Sequence, residues 1–262
     1  MNLSLIGKRA LVCGSSQGIG RAVAVELASL NASVCLMARN PEALQKVKDE
    51  LNTESGQQHD FRAVDFSKPD DLQNEITSLL TPGKTFHILI NNTGGPSAGP
   101  VFEAQTQEFT QAFSNHLICN HILAQAVVPG MKAAGYGRII NIISTSVKQP
   151  IKGLGVSNTV RGAVANWAKT LAEELAPFGI TVNNVLPGAT KTTRLEAIIE
   201  NRARKTGMAA AVVSKQMLSE IPAGRFAEPT EIANAVAFLA SPAAGYITGV
   251  NLPVDGGRTR CM

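Results

Sequence analysis

The chain has 262 residues, 44% hydrophobic and 17% charged, with a formal net charge of +4. That balance excludes a disordered chain, and no apolar run reaches the roughly 20 residues of a membrane-spanning helix. The small positive excess comes with no Lys/Arg block and no interleaved aromatics, so neither nucleic acid nor membrane is expected as a partner.

A chain this long buries a full core without staples. Cys13, Cys35, Cys119 and Cys261 are scattered and form no metal-type pair, so no metal is expected. The opening MNLSLIGKRA has no basic segment followed by a long apolar run. It reads as no secretory signal, so a cytoplasmic location is expected, with Cys13 and Cys35 as packing thiols.

Short β-rich runs alternate with helical patterns. Strands are predicted at 9–14, 32–38, 61–66, 87–92, 137–143, 180–187 and 250–257. Helices are predicted at 20–30, 41–51, 70–80, 160–176 and 231–241, with one long helical stretch over 108–132. A charged, Ala-rich segment covers 192–220. Unbroken apolar strands separated by helices imply parallel pairing with right-handed crossovers. The expected fold is α/β: one Rossmann-type, doubly wound parallel sheet of about seven strands, spanning 1–262 without a linker or repeat.

CGSSQGIGRAV follows the first strand and opens a helix. Gly14, Gly18 and Gly20 permit a tight turn and close backbone approach. The N–H groups and positive dipole end of the helix then suit a pyrophosphate, which would be met by Gly14, Ser16, Gln17, Gly18, Ile19 and Gly20.

The Gly-x-x-x-Gly-x-Gly spacing resembles that of the short-chain dehydrogenases/reductases, and further signatures follow in order. Asn91-Asn92-Thr93-Gly94 ends the fourth strand, where that family has Asn-Asn-Ala-Gly. Asn115 and Ser144 stand where the family keeps an active-site Asn and a catalytic Ser. Pro187-Gly188, Thr190 and Thr192 match the loop on the nicotinamide side. GRFAEPTEIANAVAFLAS and YITGVNLPVDGG match the C-terminal signature. The resemblance covers essentially the whole chain, and within the family the pattern is most similar to the 3-oxoacyl-(acyl carrier protein) reductases. It implies an NAD(P)-dependent oxidoreductase acting on a small carbonyl or alcohol, assembled as a homotetramer or homodimer. Pairing would run through the long helix around Asn115 and the helix after Arg161. Cys13 replaces the family's usual Thr, which bonds to a neighbouring strand's loop.

The second strand ends at Ala38, where an NAD site usually has a carboxylate for the ribose. Arg39 follows and suits a 2′-phosphate, so NADP(H) is favoured over NAD(H). By resemblance, Asp65 and Phe66 would contact the adenine, and Asn92, Thr93 and Gly94 the cofactor.

Relatives place a catalytic Tyr thirteen residues after the Ser, and a Lys four later. Here those positions hold Ser157 and Arg161, four apart on one helix face. A serine hydroxyl is shorter and far less acidic than a phenol. Arginine keeps the charge but not an exchangeable proton, so it could hold a ribose hydroxyl or stabilise an oxyanion. Of the two tyrosines, Tyr136 and Tyr246, neither lies one or two helical turns from Ser157. Lys148, four residues after Ser144, reads either as a remaining donor or as a solvated loop lysine. His116 and His121 read as packed or solvated.

By resemblance, 192–220 is a substrate lid. Arg194, Arg202, Arg204, Lys205 and Lys215 could meet thioester phosphates, or could pair with Glu196 and Glu200 on a solvated helix. Thr93-Gly94-Gly95-Pro96 adds a Gly and a Pro beyond the family pattern. Three functions remain open. The first is an NADP-dependent carbonyl/alcohol oxidoreductase using Ser144, Asn115, Ser157 and Arg161. The second is a dinucleotide-binding sensor or partner subunit without turnover. The third is a lyase with Lys148 as base.

Overall fold

The computed structural model describes residues 1–80 and 84–261. Seven strands form one sheet: β1 (Arg9–Cys13), β2 (Ser33–Ala38), β3 (Asp60–Ala63), β4 (Ile88–Asn91), β5 (Gly137–Ile142), β6 (Ile180–Pro187) and β7 (Asn251–Val254). Their order is β3-β2-β1-β4-β5-β6-β7, and every neighbouring pair is parallel. The chain therefore winds outward from β1, returns, and winds the other way from β4. The crevice beyond the carboxyl ends of β1 and β4 is the switch point where such sheets bind ligands.

Nine helices are described: α1 (Gly18–Ser29), α2 (Pro41–Asp49), α3 (Pro69–Leu79), α4 (Thr106–Phe113), α5 (Cys119–Ala134), α6 (Gly155–Leu175), α7 (Thr193–Thr206), α8 (Ala210–Ser219) and α9 (Pro229–Ala240). Strand side chains alternate between two helical layers. Ala10 and Val12 of β1 join α1, α2 and α9 in one core. Leu11 and Cys13 join α3, α5 and α6 in the other. Strands covered on both faces need no polar side, which explains their continuous apolar sequence. Cys13, Cys35 and Cys119 are buried free thiols in that second core, and Cys261 is exposed. Burial pushes the Cys13 thiol far up and the Cys35 thiol up to about 12, so both pack as neutral groups.

Helix ends follow local chemistry. Asn40 Oδ1 accepts the Ala43 N–H at 3.0 Å, with Pro41 opening α2. β3 and β7 each end three residues before the expected boundary, and two helical elements also depart from expectation. The long helical stretch is split: a π-helical turn, Ser114–Ile118, separates α4 from α5. And α6 begins at Gly155, earlier than its apolar periodicity implies. The Gly155 N–H donates to the Gly99 carbonyl at 3.0 Å, and Asn158 holds Ile151 through both its amide atoms, so a polar first turn is fixed from outside the helix.

One polar row crosses the buried sheet. Asn91, Asn141, Asn184 and Asn251 stand at paired positions on β4, β5, β6 and β7. Asn91 Nδ2 donates to Asn141 Oδ1, Asn141 Nδ2 to Asn184 Oδ1, and Asn184 Nδ2 to Asn251 Oδ1, each at 2.8 Å. These bonds offset most of the cost of burying the amides, although the Asn91 Oδ1 at the end of the row is buried without a partner. No helix among the described residues is long and apolar enough to cross a membrane.

Candidate active site

The glycine turn leaves β1 and enters α1 directly. Gly14 and Gly18 have φ of 59° and 56°, left-handed values that favour glycine. A Cβ on Gly20 would stand 2.1 Å from the Gly14 carbonyl oxygen. Ser15, fully buried, accepts the Met37 N–H at 3.0 Å and so ties the turn to the end of β2. Sequence reasoning passed over it, because one Ser in a Ser-Ser pair carries no signal of its own.

The first turn of α1 receives no side-chain cap, so its N–H groups remain open to an anion. Opposite stands Asn92, whose Nδ2 donates to the Cys13 and Gly14 carbonyls, at 3.3 Å each. The loop-to-loop bond is thus made to backbone, and the residue at 13 needs no hydroxyl for it. From the other side, the β6 loop returns: Thr192 Cγ2 would lie 3.2 Å from a Cβ on Gly18. Thr190 Oγ1 donates to the Gly188 carbonyl at 3.1 Å, and Thr192 caps α7. Gly188 is tied to β7 through the Val254 carbonyl at 2.9 Å. These groups frame an elongated cradle whose donors and glycine-lined approach fit a dinucleotide.

Beyond the carboxyl ends of β2 and β3, Arg39 is exposed and Asp65 partly so. The Ser67 N–H, and more weakly Arg39 and Lys68, hold the Asp65 carboxyl below its usual range. Phe66 accepts the Cys119 thiol at 3.3 Å through its carbonyl. Gly94 has nothing within 4 Å of where a Cβ would stand.

At the opposite end, Ser144 leaves β5 in extended conformation, and its Oγ accepts the Ser146 N–H at 3.1 Å. Ser157 and Arg161 lie on α6, each only 8% exposed. Arg161 donates through Nη1 to the Ile142 carbonyl at 2.9 Å, two residues before Ser144. Burial, and then the Arg194 cation, draw its guanidinium down to about 10, still charged at neutral pH. Asn115 sits in the π-helical turn but turns elsewhere. With its nitrogen donating, it reaches the Phe66 carbonyl at 3.1 Å and the Gln111 carbonyl at 3.2 Å. Among the described residues its side chain makes no hydrogen bond to Ser144, Ser157 or Arg161.

His116 is buried at 2% exposure, and its Nδ1 lies 2.5 Å from Thr93 Oγ1. Burial first, then Arg161 and Arg194, lower it to about 2, so it is neutral. His121 is only partly buried and takes the Trp167 indole N–H at 3.4 Å. Tyr136 donates its hydroxyl to the Ala240 carbonyl at 2.7 Å, and Tyr246 is fully exposed. Among the described residues neither phenol hydrogen-bonds to Ser144, Ser157 or Arg161. Lys148 is partly buried just after Ser144, and its carbonyl accepts the Cys261 thiol at 3.4 Å.

The expected lid is two helices, α7 and α8. Its expected ion pairs are absent: among the described residues neither Glu196 nor Glu200 lies within 4.0 Å of a basic nitrogen. Arg202, Arg204, Lys205 and Lys215 are exposed. Arg194 is exposed as well, but its side chain lies over the loop after β4, donating through Nη2 to the Pro96 carbonyl at 2.7 Å.

Residues 14–259 match the family model described as enoyl-(acyl carrier protein) reductase. The chain is 33% identical over 255 residues to the 3-oxoacyl-(acyl carrier protein) reductase of Vibrio cholerae, covering 97% of this chain and 98% of that protein. It superposes on the L-sorbose reductase of Gluconobacter frateurii, solved with NADPH and L-sorbose, with a TM-score of 0.92, 30% identity and full coverage of both chains. An NAD+-bound xylitol dehydrogenase superposes with a TM-score of 0.89 at 29% identity, covering 97% of this chain and 99% of that one.

Proposed function

Since the chain belongs to the short-chain dehydrogenase/reductase family, we propose that it is an NADP-dependent oxidoreductase acting on a carbonyl/alcohol pair, with an altered proton-transfer site. The observation that carries this reading is the alignment of two sites in one crevice. The cradle between Gly14–Gly20, Asn92 and Thr192 leads to Ser144 and the buried face of α6 with Ser157 and Arg161. NADP(H), when bound, supplies or accepts the hydride. Gly14, Ser16, Gln17, Gly18, Ile19 and Gly20 would hold its pyrophosphate. Asn92, Thr93, Gly94, Pro187, Gly188, Thr190 and Thr192 would flank its nicotinamide half. Arg39 would pair with the 2′-phosphate, with Asp65 and Phe66 near the adenine. The similarity to an NADPH-bound reductase and the absence of a carboxylate at Ala38 support NADP(H) over NAD(H). Equal affinity for the two cofactors in a titration would overturn that preference.

In this reading the Ser144 hydroxyl orients the substrate oxygen, and Arg161 offsets the negative charge that grows on it. Arg161 gives up no proton, and Ser157 is too short to reach where a phenol would stand. A water held by Ser157 bridges that gap and carries the proton. Asn115 acts as a positioning residue, tying the π-helical turn to the Phe66 carbonyl. α7 and α8 cover the substrate side. In solution the chain pairs with copies of itself.

The test is NADPH oxidation followed by absorbance against a panel of ketones, oxo acids and 3-oxoacyl thioesters. Turnover with at least one member is expected, falling about a hundred- to a thousandfold in kcat in Ser144→Ala. No hydride transfer across the panel, with tight NADPH binding retained, would favour a dinucleotide-binding protein without turnover. One observation gives that second reading its weight: neither tyrosine hydroxyl lies in the crevice.

A further inference from the structure

Two guanidinium groups meet at Gly95, where the chain carries its additional glycine. A Cβ placed on Gly95 would stand 3.3 Å from Arg194 Nη2 and 3.7 Å from an Arg161 nitrogen. Arg161 rises from the buried face of α6, one turn beyond Ser157, and Arg194 from the first turn of α7. Two cations so close repel one another, and burying one removes it from water, at a cost only a counter-charge or strong hydrogen bonds offset.

No counter-charge is present. Among the described residues no carboxylate oxygen lies within 4.0 Å of either guanidinium. Each spends one donor on a backbone carbonyl, Arg161 on Ile142 and Arg194 on Pro96. The Nε of Arg161 is buried with no partner at all. The nearby titratable group, His116, is neutral and bonded to Thr93, so it supplies no negative charge either. The cluster is thus a pair of planar forks with unspent donors, at the substrate end of the crevice.

We propose that Arg161 and Arg194 together recognise a carboxylate on the substrate, so that this chain acts on oxo acids or hydroxy acids in preference to neutral carbonyl compounds. The naming of a carbonyl-bearing ligand rests on the oxidoreductase reading; the anion site itself does not. A carboxylate presents two oxygens in the plane that guanidinium forks match. It would offset the mutual repulsion and give the Nη2 groups that face Gly95 a negative partner. The glycine at 95 leaves the gap that a side chain would close.

Binding of 2-oxohexanoate and of its methyl ester is measured by calorimetry on the full chain, alone and saturated with NADP, with inorganic phosphate as a competitor. NADPH turnover of both compounds is read in parallel. The acid is expected to bind about ten- to a hundredfold tighter than the ester. Arg194→Met should erase that difference while leaving NADP affinity unchanged, and Arg194→Lys should restore part of it. Acid and ester binding alike, or a preference unchanged in Arg194→Met, overturns the proposal. Phosphate displacing the acid at lower concentration than the acid itself requires also overturns it, in favour of a phosphorylated ligand. Selective acid binding without turnover upholds the anion site and defeats the oxidoreductase reading. Turnover of both compounds without acid selectivity does the reverse.

Discussion

His116 shows most clearly how a residue's setting outweighs its type. Buried against Thr93 and facing Arg161 and Arg194, it is held neutral down to about pH 2, whereas in the unfolded chain it titrates near its ordinary value of 6.5. Below that pH the unfolded chain takes up a proton that the folded chain refuses. Its contribution is therefore full above about pH 6.5 and is lost as pH falls, at up to about 1.4 kcal/mol per pH unit. Chemical denaturation from pH 7 to 5 should show a shallower loss in His116→Gln than in the unaltered protein; equal slopes would refute this. The sequence reads His116 as packed or solvated, and the structure selects the packed alternative. The π-helical turn changes the phase at that position and turns His116 inward while Asn115 turns to Phe66. The placement of Ser144 just past β5, and of Ser157 and Arg161 on one buried face of α6, is legible in the sequence because it follows from spacing along strand and helix. The role of Arg194 is not. It depends on which of five basic residues in the 192–220 segment reaches the Pro96 carbonyl, and charge composition does not encode that.

At the scale of elements, the seven strands were readable from unbroken apolar runs. Boundaries set by distant contacts were not. The early start of α6 depends on Gly99 and Ile151, and the break between α4 and α5 leaves no apolar signature. The β1–α1 junction is the least forgiving element. The Gly20 position faces the Gly14 backbone as well as the Asn92 side chain, and the backbone oxygen at 2.1 Å leaves a methyl nowhere to go. Gly20→Ala should displace the glycine turn and weaken NADP(H) binding by about tenfold or more, seen in a fluorescence titration. Unchanged affinity would mean that the turn does not form the phosphate site.

At the scale of the molecule, Phe109, Phe113, Ile118 and Val160 line an apolar groove between α4, the π-helical turn and α6. Phe113 and Ile118 are 41% and 38% exposed, on the surface through which the resemblance implies self-pairing. The protein should scatter light as a dimer or tetramer at micromolar concentration. A Phe113→Glu, Ile118→Glu variant should shift toward monomer, because burying two carboxylates there is prohibitive. A monomer in the unaltered protein would contradict this. The asparagine row gives the whole molecule a further property. A one-residue slip of β4 on β5 would set Asn91 against Ile140 or Ile142, and a slip of β7 on β6 would set Asn184 against Leu252 or its other neighbour, so the row is a datum line. Each loop of the crevice is counted off from it: Asn92 is the next residue after Asn91, Ser144 the third after Asn141, and Pro187 the third after Asn184. Distances across the crevice are thus measured along strands from one shared zero mark. An insertion between mark and loop would move one wall of the crevice, while changes upstream of the mark would leave its gauge intact.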